Sequence, residues 1–154
     1  MEEGAKVKKR TKSSSPHKKH MAKKILIIED EEIVLGLLQK KLSQEGYEVS
    51  VARDGEEGLK KMREIKPDIV LLDIIMPKMS GFEVMEEMQK DSGLKKIPVI
   101  VVSNSGQPVE IDKARELGAK DWLIKTEFDP QEVINKVKKQ LKNINFLKFP
   151  RVGK

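Results

Sequence analysis

The chain has 154 residues, the size of one ordinary domain, with enough length for a real core but not for two. It has no cysteine, which rules out disulfides, thiolate metal sites and a cysteine nucleophile and fits a cytoplasmic location. The net charge of +6 is unevenly spread: residues 1–20 carry +5, residues 143–154 carry +3, and residues 21–142 are left with −2. A basic folded face would point to a phosphate-backbone partner, whereas basic ends on a slightly acidic body do not lead to a nucleic-acid expectation. The apolar runs are too short for a bilayer, and Glu29 and Asp30 interrupt the stretch after the basic start, so neither a membrane span nor a signal peptide is expected.

Residues 1–22 are rich in Lys and Ser, with Pro16 and almost no large apolar side chain, and read as a basic disordered tail. His17 and His20 fall inside it and read as solvated. From Lys24 onward strand and helix alternate five times. Ile25–Ile28 is a continuous apolar run, the mark of a strand buried on both faces. Glu31–Glu45 reads as a helix with Ile33, Val34, Leu37, Leu38 and Leu42 on its core side, stopped by Gly46. Tyr47–Ala52 alternates like a peripheral strand. Asp54 can cap a second helix holding Leu59, Met62 and Ile65, which ends before Pro67.

Ile69–Leu72 is a second wholly apolar strand and closes on Asp73. A loop, Ile74–Ser80, leads to a helix over Gly81–Gln89 expected to bury Phe82, Met85 and Met88. Val99–Val102 is the third apolar strand and ends at Ser103. A short helix near Val109–Leu117 passes through Gly118 to a strand at Asp121–Lys125. Asp129-Pro130 is a cap-and-first-turn pair opening a last helix with Val133, Ile134, Val137 and Leu141 on one stripe. The ordered domain is expected over 23–143, with a short basic tail, 144–154, after it.

Strands alternating with helices imply right-handed crossovers and an α/β fold: a doubly wound, five-stranded parallel sheet covered on both faces. Ligands of such sheets bind beyond the carboxyl ends of the strands. The residues there are Glu29, Asp30, Asp73, Ser103 and Lys125. If the first and third strands are neighbours, three carboxylates converge and raise one another's pKa unless a cation neutralises them. Mg²⁺ suits a site of few carboxylates and several waters. With Lys125 to neutralise a further negative group and Ser103 to offer a hydroxyl, the set is what phosphoryl transfer to a carboxylate requires.

Taken singly, each residue has a plainer explanation as a helix cap, a turn former or a solvated lysine, and Trp122 would ordinarily be packing. The plain explanations do not account for all the strand ends together. A flavodoxin-like cofactor binder would need a neutral, glycine- and hydroxyl-rich loop after the first strand, where Glu29-Asp30-Glu31-Glu32 stands. An aspartate-nucleophile phosphohydrolase would want a second aspartate two residues after Asp73, where Ile75 stands. A nucleic-acid role for the Lys-rich tail would be accessory.

The run from Pro67 to Gly81, PDIVLLDIIMPKMSG, resembles the phosphoacceptor strand and loop of the receiver domains of two-component response regulators, the CheY-like family. The acidic pair after the first strand, the Ser after the fourth and the stretch Gly118 to Lys125 agree in order and spacing. The resemblance covers about Lys23 to Asn143 and implies a stand-alone receiver with the flavodoxin-like strand order 2-1-3-4-5. It implies phosphorylation of Asp73 by a sensor histidine kinase or phosphotransfer protein, and output through an unidentified downstream protein. Asp30 and Asp73 would bind Mg²⁺ with the backbone carbonyl of Ile75, and Glu29 would act through water. Lys125 would hold the phosphoryl group, and Ser103 would turn toward it, freeing space for Trp122. The chain would catalyse only its own modification. It departs from the family in Glu29 for the commoner aspartate, Asn104 for alanine, Trp122 for tyrosine or phenylalanine, and Thr126 for the proline after the lysine, which makes a cis peptide there unexpected.

Overall fold

The computed structural model describes residues 22–127 and 129–147. The expected basic tail, 1–22, lies outside them but for its last residue, and Lys148, Arg151 and Lys154 of the expected C-terminal tail lie outside them altogether. Five strands and five helices alternate: β1 Lys24–Ile28, α1 Glu32–Gln44, β2 Glu48–Ala52, α2 Gly55–Ile65, β3 Ile69–Leu72, α3 Gly81–Gln89, β4 Val99–Ser103, α4 Pro108–Glu116, β5 Ala119–Ile124 and α5 Pro130–Leu147. All pairings are parallel and the sheet order is β2-β1-β3-β4-β5, the expected doubly wound, flavodoxin-like arrangement. α5 runs four residues past the expected domain edge at 143.

The apolar runs are explained by this order. β1, β3 and β4 are the three interior strands and almost every residue in them is buried, while the edge strands β2 and β5 are mixed. Alternate side chains go to opposite faces. Leu26, Ile28, Val70 and Leu72 pack under α2, α3 and α4 with Met62 and Met85. Ile25, Ile27, Ile69 and Leu71 pack with Leu38 of α1 and Val137 of α5.

Helix ends obey the local chemistry. The Asp54 carboxylate accepts the Glu57 N–H at 2.8 Å to cap α2. Ser80 and Glu83 form a reciprocal capping box at the start of α3. Asp129 accepts the Glu132 N–H at 2.9 Å ahead of α5. Gly46 and Gly118, each just past a helix, have φ of +96° and +106°, which a side chain would resist.

Two packing expectations are corrected. On α1 the buried stripe is Leu35, Leu38 and Leu42, whereas Ile33 is 86% exposed and Leu37 is 41% exposed. Residues 35, 38 and 42 lie on one face at helical spacing; Ile33 and Leu37 share another row, about 200° of helical rotation from Leu35 in the case of Ile33. On α3 the stripe is Val84, Met85 and Met88, and Phe82 is only partly buried, with the Lys113 ammonium 4.5 Å from its ring centroid. Among the described residues no helix is long and apolar enough to cross a membrane.

Candidate metal and phosphoryl site

Strand register builds the site. β1 and β3 are neighbours, with Ile28 opposite Leu72, so the chain leaves both at the same height. The Asp73 N–H continues the ladder to the Ile28 carbonyl at 2.9 Å, and the Glu29 N–H does so to Ala52 at 2.9 Å. Glu29, Asp30 and Asp73 each place a carboxylate oxygen within 4.8 Å of the others. On the far side of β4, the Lys125 N–H donates to the Ser103 carbonyl at 2.7 Å, which brings the lysine to the same edge. A cleft of about 250 Å³ opens there, lined by Asp30, Glu31, Asp73, Ile75, Ser103, Asn104 and Lys125.

Lys125 is the cation of this cluster. Its Nζ donates to Glu29 Oε2 at 2.8 Å, to Asp73 Oδ2 at 3.1 Å and to Glu31 Oε1 at 2.6 Å. Asp73 Oδ1 accepts the Ile74 N–H at 2.7 Å, which fixes the carboxylate's orientation. Burial pushes the Asp73 carboxyl up from the ordinary aspartate range, against the pull of Lys125. Burial likewise raises Glu29 to about 7, although hydrogen bonds from Lys125 and the Glu31 N–H lower it and the Asp73 charge adds to the rise. For Lys125 burial works downward, but its hydrogen bonds to Glu29 and Glu31 and the charges of Asp73 and Glu29 outweigh it and raise the group.

The donor set fits a hard divalent cation. All candidate ligands are oxygens, and Glu29 Oε1 is buried with no hydrogen-bond partner in the described structure. An orphaned carboxylate oxygen beside two more carboxylates is costly unless a cation or proton takes it up. Glu29→Gln tests that cost, because glutamine is the isostere of the protonated acid. A carboxyl raised from 4.5 to about 7 in the folded state takes away stability as pH climbs through that window. In chelator at pH 8 the substitution should therefore stabilise, on the order of 2 kcal/mol, and at pH 5 it should do little. Urea titrations at the two pH values check this; equal shifts at both would contradict it.

Of the residues singled out in the sequence, Glu29, Asp30, Asp73, Ile75, Ser103 and Lys125 are gathered at this edge. Ser103 is 2% exposed, and its Oγ accepts the Ser105 N–H at 3.2 Å. Trp122 does not line the cleft. It lies opposite Val101 on β5, against α4, and its Nε1–H donates to the Ser105 carbonyl at 2.8 Å. The Ser105 residue thus links the cleft hydroxyl to the indole. Glu31 is a site residue that sequence reasoning misses; it stands two residues after Glu29 with extended backbone ahead of α1 (φ −81°, ψ 112°), and its carboxylate meets Lys125. The Lys125–Thr126 peptide is trans.

The molecule is thus a doubly wound parallel α/β protein with three carboxylates and a lysine gathered beyond the carboxyl ends of its strands. Residues 25–138 match the family described as the response regulator receiver domain, and the chain belongs to that family. It is 39% identical over 118 residues to the alkaline phosphatase synthesis transcriptional regulatory protein PhoP of Bacillus subtilis, covering 77% of this chain and 48% of that protein. The chain spans about half the length of the curated relatives it matches. Among solved structures it is similar to chemotaxis protein CheY4 of Vibrio cholerae, with 28% identity, a TM-score of 0.72 and coverage of 77% and 98% of the two chains. It is also similar to the phosphorylated cyanobacterial phytochrome response regulator RcpA, with 31% identity, a TM-score of 0.67 and coverage of 77% and 90%.

Proposed function

We propose that this receiver domain accepts a phosphoryl group on Asp73 and signals through protein contacts that depend on it. The observation that carries the reading is the Lys125 ammonium 3.1 Å from an Asp73 carboxylate that is itself 5% exposed and flanked by Glu29 and Asp30. A sensor histidine kinase or phosphotransfer protein would be the donor, as the family suggests. In the transfer an Asp73 oxygen forms a bond to phosphorus while the phosphorus–nitrogen bond of the donor phosphohistidine breaks and the leaving imidazole takes up a proton.

Glu29, Asp30, Asp73 and the Ile75 carbonyl would hold Mg²⁺, consistent with the oxygen-only donor set and the orphaned Glu29 oxygen. When bound, the ion supplies positive charge against the phosphoryl oxygens and lowers repulsion between them and the carboxylates. Asp73 is held for attack by the Ile74 N–H on one oxygen. Lys125 would neutralise charge that develops on the transferring group, inside a site where such charge is poorly screened. Ser103 would exchange its Ser105 contact for a phosphoryl oxygen. Because the same residue accepts the Trp122 indole, that exchange would loosen Trp122 and alter the α4–β5 face.

The chain would act on no separate substrate. That RcpA was crystallised phosphorylated supports the reading for a relative of this family. The test is intact mass after incubation with MgCl₂ and acetyl phosphate, wild type beside Asp73→Asn. The wild type should gain one phosphoryl mass and the variant none. A phosphoryl adduct of equal yield on the variant would remove Asp73 from the role.

A further inference from the structure

An ammonium group has three N–H bonds, and in this protein all three of Lys125 are spent on carboxylates. A phosphoryl group on Asp73 therefore meets a lysine whose one available donor is that already on Asp73 Oδ2. For the ammonium to take a second phosphoryl oxygen, Glu29 or Glu31 must let go, and their surroundings differ sharply. The Glu29 side chain is 1% exposed and its Oε2 also accepts the Glu31 N–H at 3.0 Å, so it has no water to turn to. The Asp73 side chain is 5% exposed, and its lysine contact passes to the group it carries rather than to solvent. The Glu31 side chain is 51% exposed, on the rim of the cleft, and can rotate into solvent with little desolvation to undo.

We propose that Glu31 is a positioning residue, a carboxylate latch that occupies the third donor of Lys125 in the unphosphorylated protein and is displaced when a phosphoryl group arrives. This rests on the reading of Asp73 and Lys125 given above and adds a competing internal anion to it. The latch keeps the ammonium aimed into the cleft before transfer, since without it one donor would have no protein partner. The latch also opposes the phosphorylated state, because the contact of 2.6 Å must break and the displaced carboxylate faces a new anion.

The neighbouring acid makes a built-in comparison. Glu32 carries the same charge one residue on, yet it is taken by Arg53 at 2.6 Å and does not touch Lys125. Removing either charge makes the surroundings less negative by one unit, and only removal of Glu31 frees a lysine donor. Glu31 precedes α1 but its side chain makes no capping hydrogen bond, so its loss leaves the helix start intact.

The experiment measures the acetyl phosphate concentration giving half-maximal phosphorylation, by intact mass at saturating MgCl₂, for wild type, Glu31→Gln, Glu31→Ala and Glu32→Gln. With the latch removed, half-saturation should fall about threefold or more in both Glu31 variants, as for loss of one competing, half-exposed ion pair. The Glu32→Gln value should stay within about twofold of wild type. A purely structural role predicts the opposite direction, since a disturbed site would need more donor. Unchanged or raised half-saturation in Glu31→Gln overturns the latch, and so does an equal fall in Glu32→Gln, which would assign the effect to bulk charge. Failure of wild type itself to gain mass would instead defeat the reading of Asp73.

Discussion

Lys125→Met should destabilise the protein by about 3–5 kcal/mol in chelator at pH 8, because it removes the charge that compensates two buried carboxylates. Glu29 is 1% and Asp73 4% exposed, and with Asp30 they lie within 4.8 Å of one another. Methionine keeps the stem's apolar volume, so the loss is one of charge and hydrogen bonds rather than packing. The penalty has a pH signature. Lys125 is raised above its ordinary value, so it stays charged from pH 5 to 8 and its own titration adds no pH dependence there; the signature comes from the carboxylates.

Glu29 and Asp73 are raised carboxylates, and without the lysine they rise further. At pH 5 Glu29 takes up a proton in the folded state, which sheds much of the repulsion. At pH 8 taking up a proton costs more free energy, so the penalty should grow as pH rises. Saturating MgCl₂ should recover part of it at pH 8 by restoring positive charge. Urea unfolding at both pH values, with and without Mg²⁺, is the measurement; a penalty independent of pH would show that the loss is steric.

Gly81→Ala should cost about 3 kcal/mol, the upper end of ordinary overpacking. A Cβ at residue 81 would overlap the Asp73 carbonyl oxygen and sit 2.8 Å from the Ile74 Cα, both backbone atoms of the loop that begins at Asp73. The Ile74 Cδ1 at 2.9 Å can yield but the two backbone atoms cannot, so α3 must move or the Asp73–Ile74 segment must. The Gly81 N–H, which donates to the Ile74 carbonyl at 2.8 Å, would be strained in either case. Displacing Asp73 should also shrink the stabilisation expected of the proposed Mg²⁺ site.

The fair comparison is Gly36→Ala. Gly36 lies mid-helix in α1 with nothing within 4 Å of the added atom, and there alanine should stabilise by about 0.5–1 kcal/mol. Opposite signs for the two substitutions, by urea midpoint, would establish that the close approach of α3 to the acceptor loop is tight. Equal signs would contradict it.

The three interior strands were legible in the sequence because a strand buried on both faces has no polar face to disguise it. Ile25–Ile28, Ile69–Leu72 and Val99–Val102 are apolar throughout, and the residues just after each of them had to lie on one edge of a parallel sheet. Turn and cap chemistry was equally local: Asp54, Asp129 and Gly46 act on atoms within a few residues of themselves. From these came the alternating architecture and the chemical types gathered at the strand ends.

The tertiary structure alone decided which helical apolar residues reach the core. The five candidates on α1 span too wide an arc for one contact face and omit Leu35; the position of β1 and α5 buried Leu35, Leu38 and Leu42 and left Ile33 in solvent. It also decided the electrostatics, since charges interact by distance through space and not by spacing along the chain. The 2.6 Å contact between Glu31 and Lys125 joins residues 94 positions apart, and the orphaned Glu29 oxygen exists only once three strands have closed around it. Residue type and order can put an acid and a lysine at the same edge; only the packed fold fixes which of the lysine's three hydrogens goes to which oxygen.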